Sequence, residues 1–182
     1  MVLIKNIEYV YTDGSVVNAG KSTVKGGSGV FFGTDDPRNM ALRFRIEPVT
    51  INRAELFAIY KALEMYIKTN WKELNTGVKL SPRKKLFVYT DSLLSVNIVQ
   101  KWMDSWANNG WKKNGGIIAP ENLDLIKAIY HIKKYYIKHL QIKLIHVKAH
   151  REAPPNINTE EYLHWYGNYM ADKLASMGRR SN

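Results

Sequence analysis

The chain has no cysteine in its 182 residues. Disulfides and thiolate metal sites are therefore excluded, and any metal centre must rest on carboxylates or histidine. Long apolar runs are also missing. No segment approaches the ~20 apolar residues of a membrane span, and the start, Met1 to Glu8, holds no stretch long enough for a signal peptide. These absences predict a soluble intracellular protein, cytoplasmic or nuclear, with no membrane partner. No internal repeat, low-complexity tract or linker divides the chain, so residues 1–182 read as a single domain. Acidic residues are the scarcer charge, 16 against 27 basic ones, for a net charge of +11. A domain that basic suits a polyanion, either nucleic acid or an acidic membrane surface, although solubility alone also accounts for it.

What is present falls into short elements. Ile7 to Thr12 reads as a strand stopped by Asp13-Gly14-Ser15, and a polar stretch through Gly27 reads as a loop or turn. Gly29–Phe32 and Leu42–Ile46 look like two more strands, separated by the turn-forming Asp35 to Asn39. From Ile51 to Lys68 the apolar residues recur at three and four, which predicts a helix. A polar connector from Asn70 to Arg83 leads to a strand at Leu86–Thr90 and a helix from Ser92 to about Trp102. Met103 to Pro120, rich in Trp, Lys, Asn and Gly, reads as an excursion from the main layers. Glu121–Lys138 is predicted helical, Gln141–Val147 a strand, and Trp165–Met177 a closing helix after a proline-containing loop. The fold class is α/β: a mixed five-stranded sheet, three antiparallel strands then two parallel, flanked by helices.

Two strands end on the same word, Tyr11-Thr12-Asp13 and Tyr89-Thr90-Asp91. If they lie side by side and parallel, both acids meet at the carboxyl edge of the sheet, where open α/β sheets tend to carry their sites. Asp91 also suits a plain cap for the helix opening at Ser92. Glu55 shares a helical stripe with Ile51, Ala58, Ile59 and Ala62, an uncomfortable place for an unpaired charge unless Arg53 or a lysine pairs with it. Asp172 sits on a semi-apolar helix side with Trp165, Asn168, Tyr169 and Ala175, too deep to serve the helix dipole well. Four gathered carboxylates would repel one another strongly. Without cysteine they point to hard cations such as Mg²⁺, and paired ions about 3.5–4 Å apart can clamp a displacement at phosphorus.

Five words carry a closer resemblance: Tyr-Thr-Asp-Gly-Ser at 11–15, Asn-Arg-Ala-Glu-Leu at 52–56, Tyr-Thr-Asp-Ser at 89–92, Val-Lys-Ala-His at 147–150 and Gly-Asn-Tyr-Met-Ala-Asp at 167–172. In this order, spanning nearly the whole chain, they resemble the type 1 ribonuclease H family. The resemblance implies a ribonuclease H-like fold and a two-metal endonuclease that cuts the RNA strand of RNA–DNA hybrids, leaving 5′-phosphate and 3′-hydroxyl ends. It implies two Mg²⁺ ions, with Mn²⁺ a possible substitute, held by Asp13, Glu55, Asp91 and Asp172. Asp13 then bridges both ions, Asp172 helps hold the one that activates water, and Glu55 and Asp91 hold the one near the leaving 3′ oxygen. His150 assists proton movement and product release. Substrate contacts are implied for Asn18, Thr50, Asn52, Arg53, Trp102, Lys112, Lys113 and Asn168.

The segment at about 101–119 resembles the family's basic, aromatic protrusion that grips the hybrid, although Trp102 and Trp106, four apart, can simply pack together. No separate hybrid-binding domain is read in the chain, and a monomer is expected. The chain departs from the family pattern at Ile51, where an asparagine is usual, at Leu93, where a polar residue often follows Asp-Ser, and at Ala149, where glycine is usual. The first two bear on contacts to the RNA minor groove, whose 2′-hydroxyls distinguish RNA from DNA. Two other readings stand beside this one: a DNA resolvase- or transposase-like nuclease of the same superfamily, and a non-catalytic nucleic-acid-binding domain.

Overall fold

The computed structural model describes residues 6–75, 82–113, 116–149 and 151–181. Three antiparallel strands open the fold: β1 (Ile7–Val17), β2 (Lys25–Phe31) and β3 (Met40–Phe44). Helix α1 (Ile51–Thr69) and the short α2 (Trp71–Leu74) lead to β4 (Lys84–Thr90). A helical run follows, α3 (Leu93–Asn97), a π-helical turn (Ile98–Trp102) and α4 (Met103–Asn108), and then α5 (Leu123–Tyr135), β5 (Leu140–His146) and α6 (Glu160–Arg180). The strand order is β3-β2-β1-β4-β5, with β1, β4 and β5 mutually parallel. The expected mixed α/β sheet is therefore present. No described helix is long and apolar enough to cross a membrane.

Strand alternation sorts the two faces. Val10, Val30, Leu86, Val88 and Leu144 point into a core closed by Leu56, Ile59 and Leu63 of α1 and Ile126 and Ile129 of α5. Tyr11, Phe31 and Tyr89 face the other way, onto Ala171 of α6. Helix α6 rides directly on the β2 backbone. A Cβ added at Gly29 would collide with the Ala171 carbonyl, so only glycine admits the helix at that distance.

Several boundaries differ from those read in the sequence. β1 does not stop at Asp13-Gly14-Ser15 but continues to Val17, because β2 pairs with it from Tyr11↔Phe31 to Val17↔Lys25. The turn lies beyond, at Asn18 and Gly20, both with positive φ. β2 begins at Lys25 rather than Gly29, since α6 covers Gly27 and Gly29 and makes up for their weak strand propensity. β3 likewise runs two residues earlier than the apolar run suggests. The helix expected to end near Trp102 runs on to Asn108, drawn by the buried Met103 and Trp106, so the first part of the supposed excursion is helical. α6 starts at Glu160, where the Thr159 hydroxyl accepts from Tyr162 N at 3.1 Å, ahead of the expected Trp165.

Candidate active site

The parallel register Tyr11↔Tyr89 and Thr12↔Thr90 carries Asp13 and Asp91 out side by side at one end of the sheet centre. Asp13 is only 5% exposed, and the antiparallel partner β2 still flanks it through Asp13↔Gly29. Asp91 is half-buried. The capping task considered for Asp91 falls to its neighbour: the Ser92 hydroxyl accepts from Ser95 N at 3.3 Å.

Glu55 arrives from the first turns of α1, whose start is set by the Thr50 hydroxyl accepting from Arg53 N. The helix meets β1 at Gly14, where a Cβ would sit 2.7 Å from Glu55 N. Glu55 is 5% exposed, and its Oε2 has no hydrogen-bond partner. Arg53 does not pair with it. The Arg53 guanidinium forms a two-point ion pair with Asp124 of α5 at 2.6 and 2.8 Å, which turns it away from the acids.

Carboxylate oxygens of Asp13, Glu55 and Asp91 lie within 4.8 Å of one another. Burial, and then the charges of Glu55, Asp91 and Asp172, hold the Asp13 carboxyl well above the usual carboxylate range. Burial and Asp91 also raise Glu55, against the opposing pull of hydrogen bonds from Asp13, the Gly14 amide and Thr90. Three such groups, two of them buried, form a poor anion cluster and a good cradle for a divalent cation. The unpartnered Glu55 Oε2 is what a ligand oxygen looks like before it is used.

The fourth acid is set slightly apart. Asp172 of α6 is half-buried and outside the tight trio, yet near enough to raise Asp13. It shares a cavity of about 180 Å³ with Asp91, Asn168, Trp165, Lys148 and Arg151. Asn168 is 8% exposed, and its Oδ1 is unpartnered. Lys148 and Arg151 were not singled out from the sequence, although Lys148 stands inside the quoted Val-Lys-Ala-His word. His150 lies outside the described residues.

The other expected contact residues divide into two groups. Asn52, Trp102 and Lys113 line a cleft of about 390 Å³ together with Trp106, Ile98 and Asn122. Trp102 is 38% exposed there, with its ring 5.8 Å from that of the buried Trp106. Lys112 stands exposed beside it in the chain. Asn18, in contrast, sits in the exposed turn past the end of β1, donating to Thr23 O. Five residues at ~3.3 Å each put it roughly 16 Å along the strand from Asp13.

A family model described as RNase H matches residues 5–180. Ribonuclease H of Schizosaccharomyces pombe is 34% identical over 171 residues, covering 94% of this chain and 52% of that protein. The chain spans about half the length of such curated relatives. Among solved structures, the PFV RNase H domain superposes with a TM-score of 0.62 at 24% identity, covering 94% of this chain and 93% of that one. A foamy viral protease-reverse transcriptase in complex with an RNA/DNA hybrid gives 0.68 at 19% identity, covering 95% and 20%. These two likenesses are of fold. The family follows from the match that runs nearly end to end, over a sheet that brings the acids of its first and fourth strands to one edge: the chain belongs to the RNase H family.

Proposed function

We propose that the chain is a metal-dependent endonuclease that hydrolyses the RNA strand of RNA–DNA hybrids. The observation carrying this is the trio of buried Asp13 and Glu55 with half-buried Asp91, with oxygens within 4.8 Å of one another and the Glu55 Oε2 unpartnered, in a chain of the RNase H family. The capture of a similarly folded viral enzyme with an RNA/DNA hybrid supports the substrate.

Asp13, Glu55, Asp91 and Asp172 would hold two Mg²⁺ ions, with Mn²⁺ as a substitute. Bound there, such ions neutralise charge on the scissile phosphate and lower the pKa of water. The carboxylates keep this centre oriented, because each is fixed to a different rigid element: β1, α1, the end of β4, and α6. Asn168 lines the same cavity, where Lys148 supplies positive charge for a phosphate beside Arg151, which is paired with Glu161 at 2.9 Å. His150 assists proton movement and product release. A water oxygen adds to phosphorus as the bond to the 3′ oxygen breaks, and that oxygen takes up a proton, leaving 5′-phosphate and 3′-hydroxyl ends.

The cleft of Trp102, Trp106 and Lys113 takes the strand next to the cut one. Aromatic faces and ammonium groups bind a strand without regard to sequence. The domain acts as a monomer, and Thr50 and Asn52 at the α1 entrance contact the backbone.

Incubation with end-labelled hybrid, duplex RNA and duplex DNA tests this directly. Only the hybrid RNA should be cut, and its fragments should carry 5′-phosphates. Cutting of duplex DNA instead places the chain with the resolvase-like nucleases, and binding without cutting leaves a nucleic-acid-binding domain.

A further inference from the structure

The helical run after Asp91 is not uniform. Ile98–Trp102 forms a π-helical turn, in which Met103 N–H reaches back five residues to Ile98 O. Such turns are less stable than the α-helix and persist where they place something. The next carbonyl, Val99 O, belongs to a buried residue and cannot turn to water. It accepts instead from the ammonium of Lys133 at 3.0 Å.

Lys133 comes from α5, one helical turn after the fully buried Ile129. An ammonium there sacrifices hydration that an apolar side chain would not, so its partner must compensate. Burial holds its pKa below the ordinary lysine value, against the pull of Asp104. The next residue, Lys134, pairs with Asp104 at the start of α4 at 2.8 Å. Helix α5 thus grips the run within the widened turn, at Val99, and just past it, at Asp104. Trp102 is the last residue of that turn, and its exposed ring lines the cleft. A return to α-helical pitch would rotate Trp102 relative to α3 and turn its ring off the cleft.

We infer that Lys133 is a positioning residue that, through Val99 O, holds the π-helical turn and so aims Trp102 at the bound strand. This rests on the proposed role of the cleft in hybrid binding. Lys133 touches no substrate and acts on affinity rather than on the chemical step.

The test is a double-mutant cycle of Lys133→Met and Trp102→Ala, read by anisotropy of a labelled hybrid in EDTA and by cleavage in Mg²⁺. Trp102→Ala should weaken binding about tenfold and Lys133→Met about fivefold. The double variant should bind no more than about 1.5-fold weaker than Trp102→Ala alone, since the two act through one contact. Saturated turnover of Lys133→Met should stay within about twofold of wild type. If Lys133→Met does not fold, Lys133→Gln takes its place with the same expected direction. A folded variant with unchanged hybrid Kd, a loss confined to turnover, or full additivity with Trp102→Ala overturns the inference. Wild-type protein that binds hybrid without cutting it overturns the proposed catalysis alone, and the binding cycle still decides the role of Lys133. Wild-type protein that does not bind hybrid overturns both.

Discussion

Gly14 of β1 and Glu55 of α1 meet backbone to backbone, so that a methyl group at position 14 would lie 2.7 Å from the Glu55 nitrogen. The contact sets how far Glu55 stands from Asp13. Gly14→Ala must push α1 outward, at a cost of about 1–3 kcal/mol of stability. Moving a carboxylate by even a fraction of an ångström should lower cleavage at least roughly tenfold. Urea unfolding and hybrid cleavage on the same preparation check both. Wild-type activity with the expected loss of stability would mean that the spacing of Glu55 is not critical.

The raised Asp13 and Glu55 carboxyls make a stability statement. Both groups bind protons more tightly folded than unfolded, so between the ordinary carboxylate range and their raised folded values the native state carries the extra protons. Metal-free protein therefore loses stability as pH rises through neutrality and regains it as pH falls toward about 5. Asp13→Asn removes the most strongly raised group. It should abolish cleavage, yet raise the melting temperature in EDTA at neutral pH by about 2–6 °C and flatten the pH dependence. Parallel pH curves for wild type and variant would contradict the self-repulsion on which the metal reading stands.

The Arg53–Asp124 pair predicts an asymmetry. The Arg53 side chain is 6% exposed and that of Asp124 is 55% exposed. Arg53→Met leaves a solvated aspartate and should cost little, about 1 kcal/mol or less. Asp124→Asn strands a buried guanidinium whose Nε already lacks a partner, and should cost about 1–3 kcal/mol. Hydrogen bonds from Arg53 hold Asp124 below the usual carboxylate range. Its contribution is thus present above the ordinary aspartate pKa and lost as pH falls through the lowered value. Chemical denaturation of the two variants at pH 7 compares them, and equal costs would refute the asymmetry.

Lys112 and Lys113 are exposed beside the tryptophan cleft. As backbone-gripping cations, their loss should weaken hybrid binding equally for all sequences. It should also reduce the slope of log K against log salt by about 1 for each lysine. Binding of the Lys112→Gln, Lys113→Gln double variant across a salt series measures this, and an unchanged slope removes both residues from the interface.

Local patterns made much of this architecture readable. The three-and-four spacing from Ile51 marks α1, and the two Tyr-Thr-Asp words anticipate the juxtaposition of Asp13 and Asp91 once their strands pair in parallel. Features set by distant partners were hidden. Asp13-Gly14-Ser15 reads as a turn until β2 is laid beside it, and Gly27 of β2 reads as loop until α6 covers it. Glu55 was suspect by its stripe alone. That Arg53 would leave it for Asp124 depends on α5, 71 residues away. The π-helical turn and its lysine have no local signature at all, because Val99 and Lys133 meet only in the folded chain.

The most direct measurement is hybrid cleavage by wild-type protein and Asp91→Asn, each in Mg²⁺ and in EDTA. The account predicts RNA-strand cleavage by wild type in Mg²⁺, none in EDTA, and none by Asp91→Asn in either. Cleavage that survives EDTA, or an Asp91→Asn variant as active as wild type, would contradict a metal centre built on Asp13, Glu55 and Asp91.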